Sequence, residues 1–304
     1  MKKKICITII FGVGCFGLLA AIIIAEIFNI PGGSSIVGLV LGFLLPYELN
    51  KIVELYLYKQ QWKLCERRLK RAKAITGETP VRISFAYLFR IILDGKYLLI
   101  QSSRKTGRYQ PIGGVYKYYD SEGEYLKATY HIEPDDKIKT DSTSKNDYRF
   151  YVKDKYIKNF VKHFDMEKTN REKKSDVSRE LLEEVLREHS ISPKQFGILN
   201  YKYCSRFLDF GYTSIYQCYE LVLADIYEIK LDEKQEKLLR KLLTQGDEFM
   251  LASKEDIENE GVKLSDGNNK EIISNHSWKI LSSSAEKTSF NFDEKYTVDL
   301  TNRK

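Results

Sequence analysis

The run Arg179-Glu180-Leu181-Leu182-Glu183-Glu184-Val185 sets three carboxylates at i, i+3 and i+4, which in an α-helix share one face. Like charges held so close repel, so such a helix either fronts water or holds a divalent cation. Oxygen ligands of this kind suit magnesium or manganese, and a metal held by them can bridge phosphates and polarise a water. Glu180, Glu183 and Glu184 are therefore the candidate metal ligands. The plain alternative is a solvated face, with Arg179, Arg187 and Glu188 in mixed-charge pairs.

Upstream, Ile83, Phe85, Tyr87, Phe89 and Ile91 alternate with Arg82, Ser84, Ala86, Leu88 and Arg90, the period-two pattern of a strand. Asp94-Gly95 supplies a two-residue turn into a second strand over 96–104, and Gln110-Pro111-Ile112-Gly113-Gly114 is a rigid turn. From Tyr116 to Phe164 the chain is polar, rich in Tyr and Lys, and carries no clear period. Ser175 is placed to cap the acidic helix, which Ser192-Pro193 stops. Downstream, 196–208 and 212–224 form two long strands joined near Asp209-Phe210-Gly211. An amphipathic helix over 233–243, a short strand at 249–252, a helical turn at 254–260 and a closing helix over 271–281 containing Trp278 follow. This order predicts an α+β fold.

The front of the chain is different. Twenty-one uncharged residues lie between Lys4 and Glu26, and at ~1.5 Å per residue a helix of that length matches a ~30 Å hydrocarbon core. A second uncharged run spans Ile27 to Tyr47, interrupted by the turn residues Pro31-Gly32-Gly33. The expectation is a two-helix transmembrane hairpin over 1–58, with spans at about 5–25 and 35–53. Lysines and arginines flank the pair and are missing from the loop between, which puts both termini of a multi-pass membrane protein in the cytoplasm. Residues 59–78 would form a basic stalk helix, 79–281 a cytoplasmic domain with an insertion at about 116–170, and 282–304 a polar, frayed tail.

The net charge of +7 belongs to the front as well: 1–58 hold 4 basic and 3 acidic residues, 59–75 hold 7 and 1, and 76–304 hold 38 and 38. A broad duplex-binding face is thereby excluded. Five cysteines and four histidines show no ligand spacing, so neither structural zinc nor a disulfide framework is expected.

Taken together, the strand hairpin, the 110–114 turn and the 179–185 helix resemble a Nudix domain, whose signature runs from a glycine through a glutamate to an Arg-Glu-aliphatic-x-Glu-Glu-x-Gly segment. That resemblance implies an α/β/α sandwich and magnesium bound through Glu180, Glu183 and Glu184. The chain departs from the signature in two places. Sixty-four residues separate Gly114 from Arg179, far more than the family pattern has, and Leu186 stands where the helix-ending glycine belongs. A two-span hairpin joined to such a divergent domain is similar to the SMODS-associated Nudix proteins of bacterial CBASS anti-phage systems. The resemblance implies an effector whose cytoplasmic domain senses a cyclic oligonucleotide made by a CD-NTase enzyme, and whose membrane segment then compromises the inner membrane and aborts infection. A homo-oligomer and a lipid bilayer are its expected partners, and no cofactor beyond magnesium is implied.

A pocket for such a messenger needs aromatic faces and a few phosphate donors rather than a broad positive field. Arg90, Arg104, Arg108 and Arg206 are the candidate phosphate ligands, Gly113 and Gly114 offer close backbone approach, and Tyr87, Phe207, Tyr212 and Tyr216 are the candidate stacking surfaces. The rival reading is a tethered magnesium-dependent hydrolase of nucleoside diphosphates linked to a second group.

Overall fold

The computed structural model of the protein describes residues 27, 62–102, 107–138, 144–166, 168–189, 191–262, 272–281 and 294–303. Its organising element is β1 (Pro80–Arg90). Ile83, Phe85, Tyr87 and Phe89 are fully buried as their alternation predicts, and on the opposite face Arg82, Leu88 and Arg90 are buried too. A strand covered on both faces sits in the interior of a sheet. Accordingly β1 runs parallel to β9 (Cys218–Lys230) from Val81 opposite Tyr219 to Arg90 opposite Glu228, and antiparallel to β5 (Gly113–Val115) and β7 (Arg149–Lys153).

Beyond β9 lie β8 (Ile198–Thr213) and β11 (Lys295–Asp299), and beyond β7 the short β6 (Glu133–Pro134). At Ile91 the chain leaves this sheet and enters a smaller one, formed by β2 (Ile92–Leu93), β3 (Lys96–Gln101), β4 (Tyr109–Gln110) and β10 (Phe249–Ala252). The Asp94-Gly95 turn joins β2 to β3 with φ of 52° and 72°, positive at both central residues as a type I′ hairpin requires.

The two faces of β1 belong to different cores. The face of Phe85, Tyr87 and Phe89 packs with Leu181, Leu182, Val185 and Leu186 of the acidic helix. The face of Leu88 packs with Ala224, Ile226, Ile257, Ile273 and Ile280. This division governs everything said below about sites.

The described residues of the 116–164 stretch form regular elements. α1 (Asp120–Tyr130), β7 and α2 (Ile157–Phe164) occupy it, and α2 buries Ile157, Phe160, Val161 and Phe164, one helical stripe. Phe164 meets Phe85 edge-on with ring centroids 4.8 Å apart. α3 (Pro193–Phe196), α4 (Glu233–Gln245) and α5 (Lys254–Glu258) each begin with a capping box, at Ser192, Asp232 and Ser253 respectively, reciprocal bonds that close the first turn of a helix.

Several expectations are corrected. Asp209-Phe210-Gly211 is no turn: β8 continues to Thr213, with Gly211 opposite Glu220. The reversal falls at 214–217, which contain neither Gly nor Pro and so send no strong turn signal. Ser175 does not cap the acidic helix, which starts at residue 179. The 282–304 tail contributes β11, an edge strand whose Val298 is buried. Among the described residues of the expected stalk only 62–71 are helical, and Trp62 and Ile75 belong to the larger core. The α+β class holds, but the layers are a strongly curled large sheet with a second, smaller sheet.

The membrane assignment is also corrected. No helix among the described residues is long and apolar enough to cross a bilayer. α4 has 13 residues, about 20 Å at ~1.5 Å per residue against a ~30 Å core, and it is charged along one side. The runs 5–25 and 35–53 lie outside the described residues.

At the middle of the sheet Asp225 is wholly buried. It accepts from Arg206 Nε at 2.6 Å and Nη2 at 2.9 Å, from the Tyr116 hydroxyl at 2.9 Å and from the Tyr203 hydroxyl at 3.2 Å. Burial alone would raise its pKa, but Arg206 and these bonds hold it below the usual carboxylate range. Removing one partner of such a pair strands the other's charge. Asp225→Ala should lower unfolding free energy by roughly 3–5 kcal/mol in urea titrations. Because the folded pKa is depressed, the wild-type contribution is present at neutral pH and is lost as pH falls through the folded value, whereas the variant should lack that acid-side decline.

Candidate functional site

The acidic helix is a π-helix over Leu181–Arg187, with i→i+5 bonding and a wider turn than an α-helix. Widening the turn changes which side chains align. Glu180 and Glu184 both turn inward and carry carboxyls whose pKa burial raises, Glu184 to about 8 with Glu180 adding to the shift. Glu183 swings outward, its side chain 46% exposed.

The cation these carboxylates share is Arg179. Its Nη1 lies 2.6 Å from Glu180 and 3.2 Å from Glu183, its Nε donates to Glu172 at 3.0 Å, and its Nη2 donates to the Val115 carbonyl at 2.9 Å. Glu172 also receives the Lys117 N–H at 3.2 Å and the Tyr87 hydroxyl at 3.4 Å.

The two glycines of the upstream turn make this packing possible. A Cβ on Gly114 would fall 1.8 Å from Glu180 Oε1, and one on Gly113 would fall 2.2 Å from the Tyr87 carbonyl oxygen. The close backbone approach of Gly114 thus makes room for Glu180, and that of Gly113 for the β1 backbone at Tyr87 and Leu88.

A divalent cation does not fit this arrangement. Among the described residues no three His, Cys, Asp or Glu side chains gather as a ligand set, Glu183 faces away, and a guanidinium already supplies the positive charge.

A second place has the geometry of a binding site. A cleft of about 490 Å³ opens on the other face of the sheet, against the 3₁₀ helix Asn275–Leu281. Phe207, Trp278, Tyr212, Lys279, Asp209, Glu220 and Glu260 are among its walls. That volume is typical of a small-molecule site. Phe207 and Trp278 meet edge-on with centroids 5.2 Å apart, and Lys279 Nζ sits 4.8 Å from the Phe207 ring. Burial lowers the Lys279 pKa while Glu220 and Asp209 oppose that shift. Trp278 is 44% exposed and Tyr212 61%, large aromatic surface that a folded domain would otherwise cover.

The sequence-predicted residues divide accordingly. Phe207 and Tyr212 line the cleft. Arg206, one residue from Phe207, points to the opposite face and is spent on Asp225 and Asp165, the latter at 2.5 Å. Alternation along a strand requires that separation. Arg90 is buried beneath the cleft: its Nε donates to the Ile280 carbonyl at 2.7 Å and its Nη1 to Glu228 at 3.3 Å, which pins the 3₁₀ helix to β1. Arg108 is half-buried at the start of β4, and Arg104 lies outside the described residues. Tyr87 is fully buried, and Tyr216 lies against the Arg82 guanidinium at 4.5 Å. Trp278, Lys279, Asp209, Glu220 and Glu260 were missed. Their only signal was a tryptophan in a polar closing segment.

Compared with known families, residues 80–281 match the SMODS-associated NUDIX domain. The chain belongs to that family. The Nudix-like domain thus covers all the elements from β1 to the 3₁₀ helix, and the association places the chain with CBASS-related, antiviral-defence proteins. No curated protein matches the chain.

Glu184 gives this helix a pH signature. With a folded pKa of about 8 and an ordinary value when unfolded, the folded state holds the extra proton between them, so stability falls as pH rises through that window, at about 1.4 kcal/mol per unit. Glu184→Gln should remove the fall: the variant should match wild type near pH 4.5 and exceed it at pH 9 in urea midpoints. Equal slopes in the two proteins would refute the assignment.

Proposed function

We propose that this SMODS-associated Nudix domain is the sensor of an anti-phage effector, and that it binds a cyclic oligonucleotide of the kind a CD-NTase makes through the cleft rather than the acidic helix. The observation that carries this is the pairing of Phe207 with Trp278 in an open cleft on the face of β8 and β9 opposite the Nudix helix. Every nucleobase has a π-face, and stacking on an aromatic side chain is worth roughly 1–3 kcal/mol per base. The cleft offers such surface already ordered, since Phe207 sits in the longest hairpin and Trp278 is on a helix fixed by Arg90.

Against the hydrolase reading stand Arg179 among the carboxylates and the outward Glu183. What remains of the Nudix helix is a packing element with a neutralised acidic patch.

Calorimetry of the full-length chain against a panel of cyclic di- and trinucleotides checks this. Wild type should bind at least one. Trp278→Ala and Phe207→Ala should each weaken that binding about tenfold or more, and Glu184→Gln should leave it unchanged. Binding lost in Glu184→Gln but kept in Trp278→Ala would move the site to the helix.

A further inference from the structure

The cleft's charge is of the wrong sign for phosphate. Asp209, Glu220 and Glu260 line it beside Lys279 and His276, and Arg82 behind it is committed to Glu220 and to Asp135, the latter at 2.6 Å. A cyclic oligonucleotide presents two chemistries, anionic phosphates and the polar edges of its bases. Carboxylates repel the first and, as acceptors only, select within the second.

The bases differ sharply in what they offer a carboxylate. Guanine presents two adjacent donors on its Watson–Crick edge, N1–H and N2–H₂, a fork that two carboxylate oxygens can receive together. Adenine and cytosine set one donor beside an acceptor, and uracil sets its one N–H between two carbonyl oxygens. For those three, a carboxylate brings two acceptors face to face.

The three acids are not equivalent. Glu220 is held by Arg82, and Asp209 Oδ1 receives the Phe210 N–H at 2.9 Å. Glu260 makes no side-chain hydrogen bond or ion pair among the described residues. Its backbone is left-handed, with φ of 53°. Its carbonyl receives the N–H groups of Ile272 at 3.1 Å and Ile273 at 3.0 Å, and the next N–H, of Gly261, closes on Asp256 O at 2.7 Å. Glycine or asparagine is the usual occupant of such a position after a helix. Glu260 is among the cleft's walls, and a glutamate at this left-handed position carries a conformational penalty.

We infer that this cleft is a guanine-selective base site, with the base stacked on the exposed Trp278, which Phe207 props edge-on, and its N1–H and N2–H₂ edge read by Glu260, Asp209 flanking. The inference rests on the sensor reading above and adds the identity of the base. It also turns the messenger's phosphates toward solvent, away from the acids.

Equilibrium binding of the full-length chain to cyclic di-GMP, cyclic GMP–AMP and cyclic di-AMP tests it, alongside Glu260→Gln and Asp209→Asn. Wild type should favour the guanine-containing ligands over cyclic di-AMP by about tenfold or more, the scale of one good bidentate contact. A carboxamide sets a donor beside its acceptor, which opposes guanine and suits adenine, so Glu260→Gln should erase or invert the preference without losing cyclic di-AMP. The backbone position is no worse for Gln than for Glu, and matched thermal melts will confirm that the variants fold. Equal binding of the three ligands by wild type, or a guanine preference that survives in both variants, overturns the base assignment and leaves the sensor reading standing. Failure of every cyclic nucleotide to bind wild type overturns both.

Discussion

A single carboxylate without access to water holds the domain together. Asp225 on β9 is opposite Tyr87 of β1 and Arg206 of β8, so it ties three strands together. Isolated in a medium of low dielectric, it would stay neutral rather than ionise. A two-pronged guanidinium and two tyrosine hydroxyls make ionisation favourable, and each of those donors in turn fixes an element. Arg206 reaches Asp165 just past α2, and Tyr116 follows β5. The arrangement converts a desolvation cost into a geometric specification. Only one register of β8 on β9 brings Arg206 to Asp225, and a one-residue slip would send it to the other face.

That same register separates the two places where chemistry was expected. Alternation sends Tyr87, Asp225 and Arg206 toward the Nudix helix, and Arg82, Glu220, Phe207 and Asp209 toward the cleft. On the helix side two glycines, Glu172, Glu180, Arg179 and the Tyr87 hydroxyl interlock. The cleft side stays open because the short 3₁₀ helix covers the sheet only partly. The family scaffold thus takes its acidic helix into the packing and exposes aromatic surface elsewhere.

Much of this was legible in the sequence. The alternation at 81–91, the Asp94-Gly95 turn and the amphipathic run at 233–243 report physical constraints that act locally, and each appears where its pattern places it, the helix running on to Gln245. The stripe Ile157, Phe160, Val161 and Phe164 was equally available but lay among lysines and tyrosines that masked its period. The acidic helix was legible in composition and not in geometry, because nothing in Arg179–Val185 distinguishes an α-turn from a π-turn. That difference decides whether three glutamates converge. Reading Arg206 and Phe207 as one site neglected the period of two that the same strand otherwise displayed. The β8–β9 turn was misplaced because Gly211, a turn former elsewhere, sits within the ladder. The acids of the cleft come from β8, β9 and the end of α5, and no local pattern connects positions so distant in sequence.

The cleft is also the part of the molecule whose walls need least rearrangement. Ser277 and Ile280 are the buried residues of the 3₁₀ helix, Arg90 ties its end to β1, and Phe207 stands in the β8–β9 ladder opposite Ala224. Binding normally loses free energy to ordering of side chains and loops, about 0.5–1.5 kcal/mol for each immobilised rotamer-rich side chain. Aromatic rings with few torsions, carried on elements already ordered in the folded protein, avoid most of that loss. Exposure of Trp278 and Tyr212 costs hydrophobic stability that any flat apolar group covering the same area would recover.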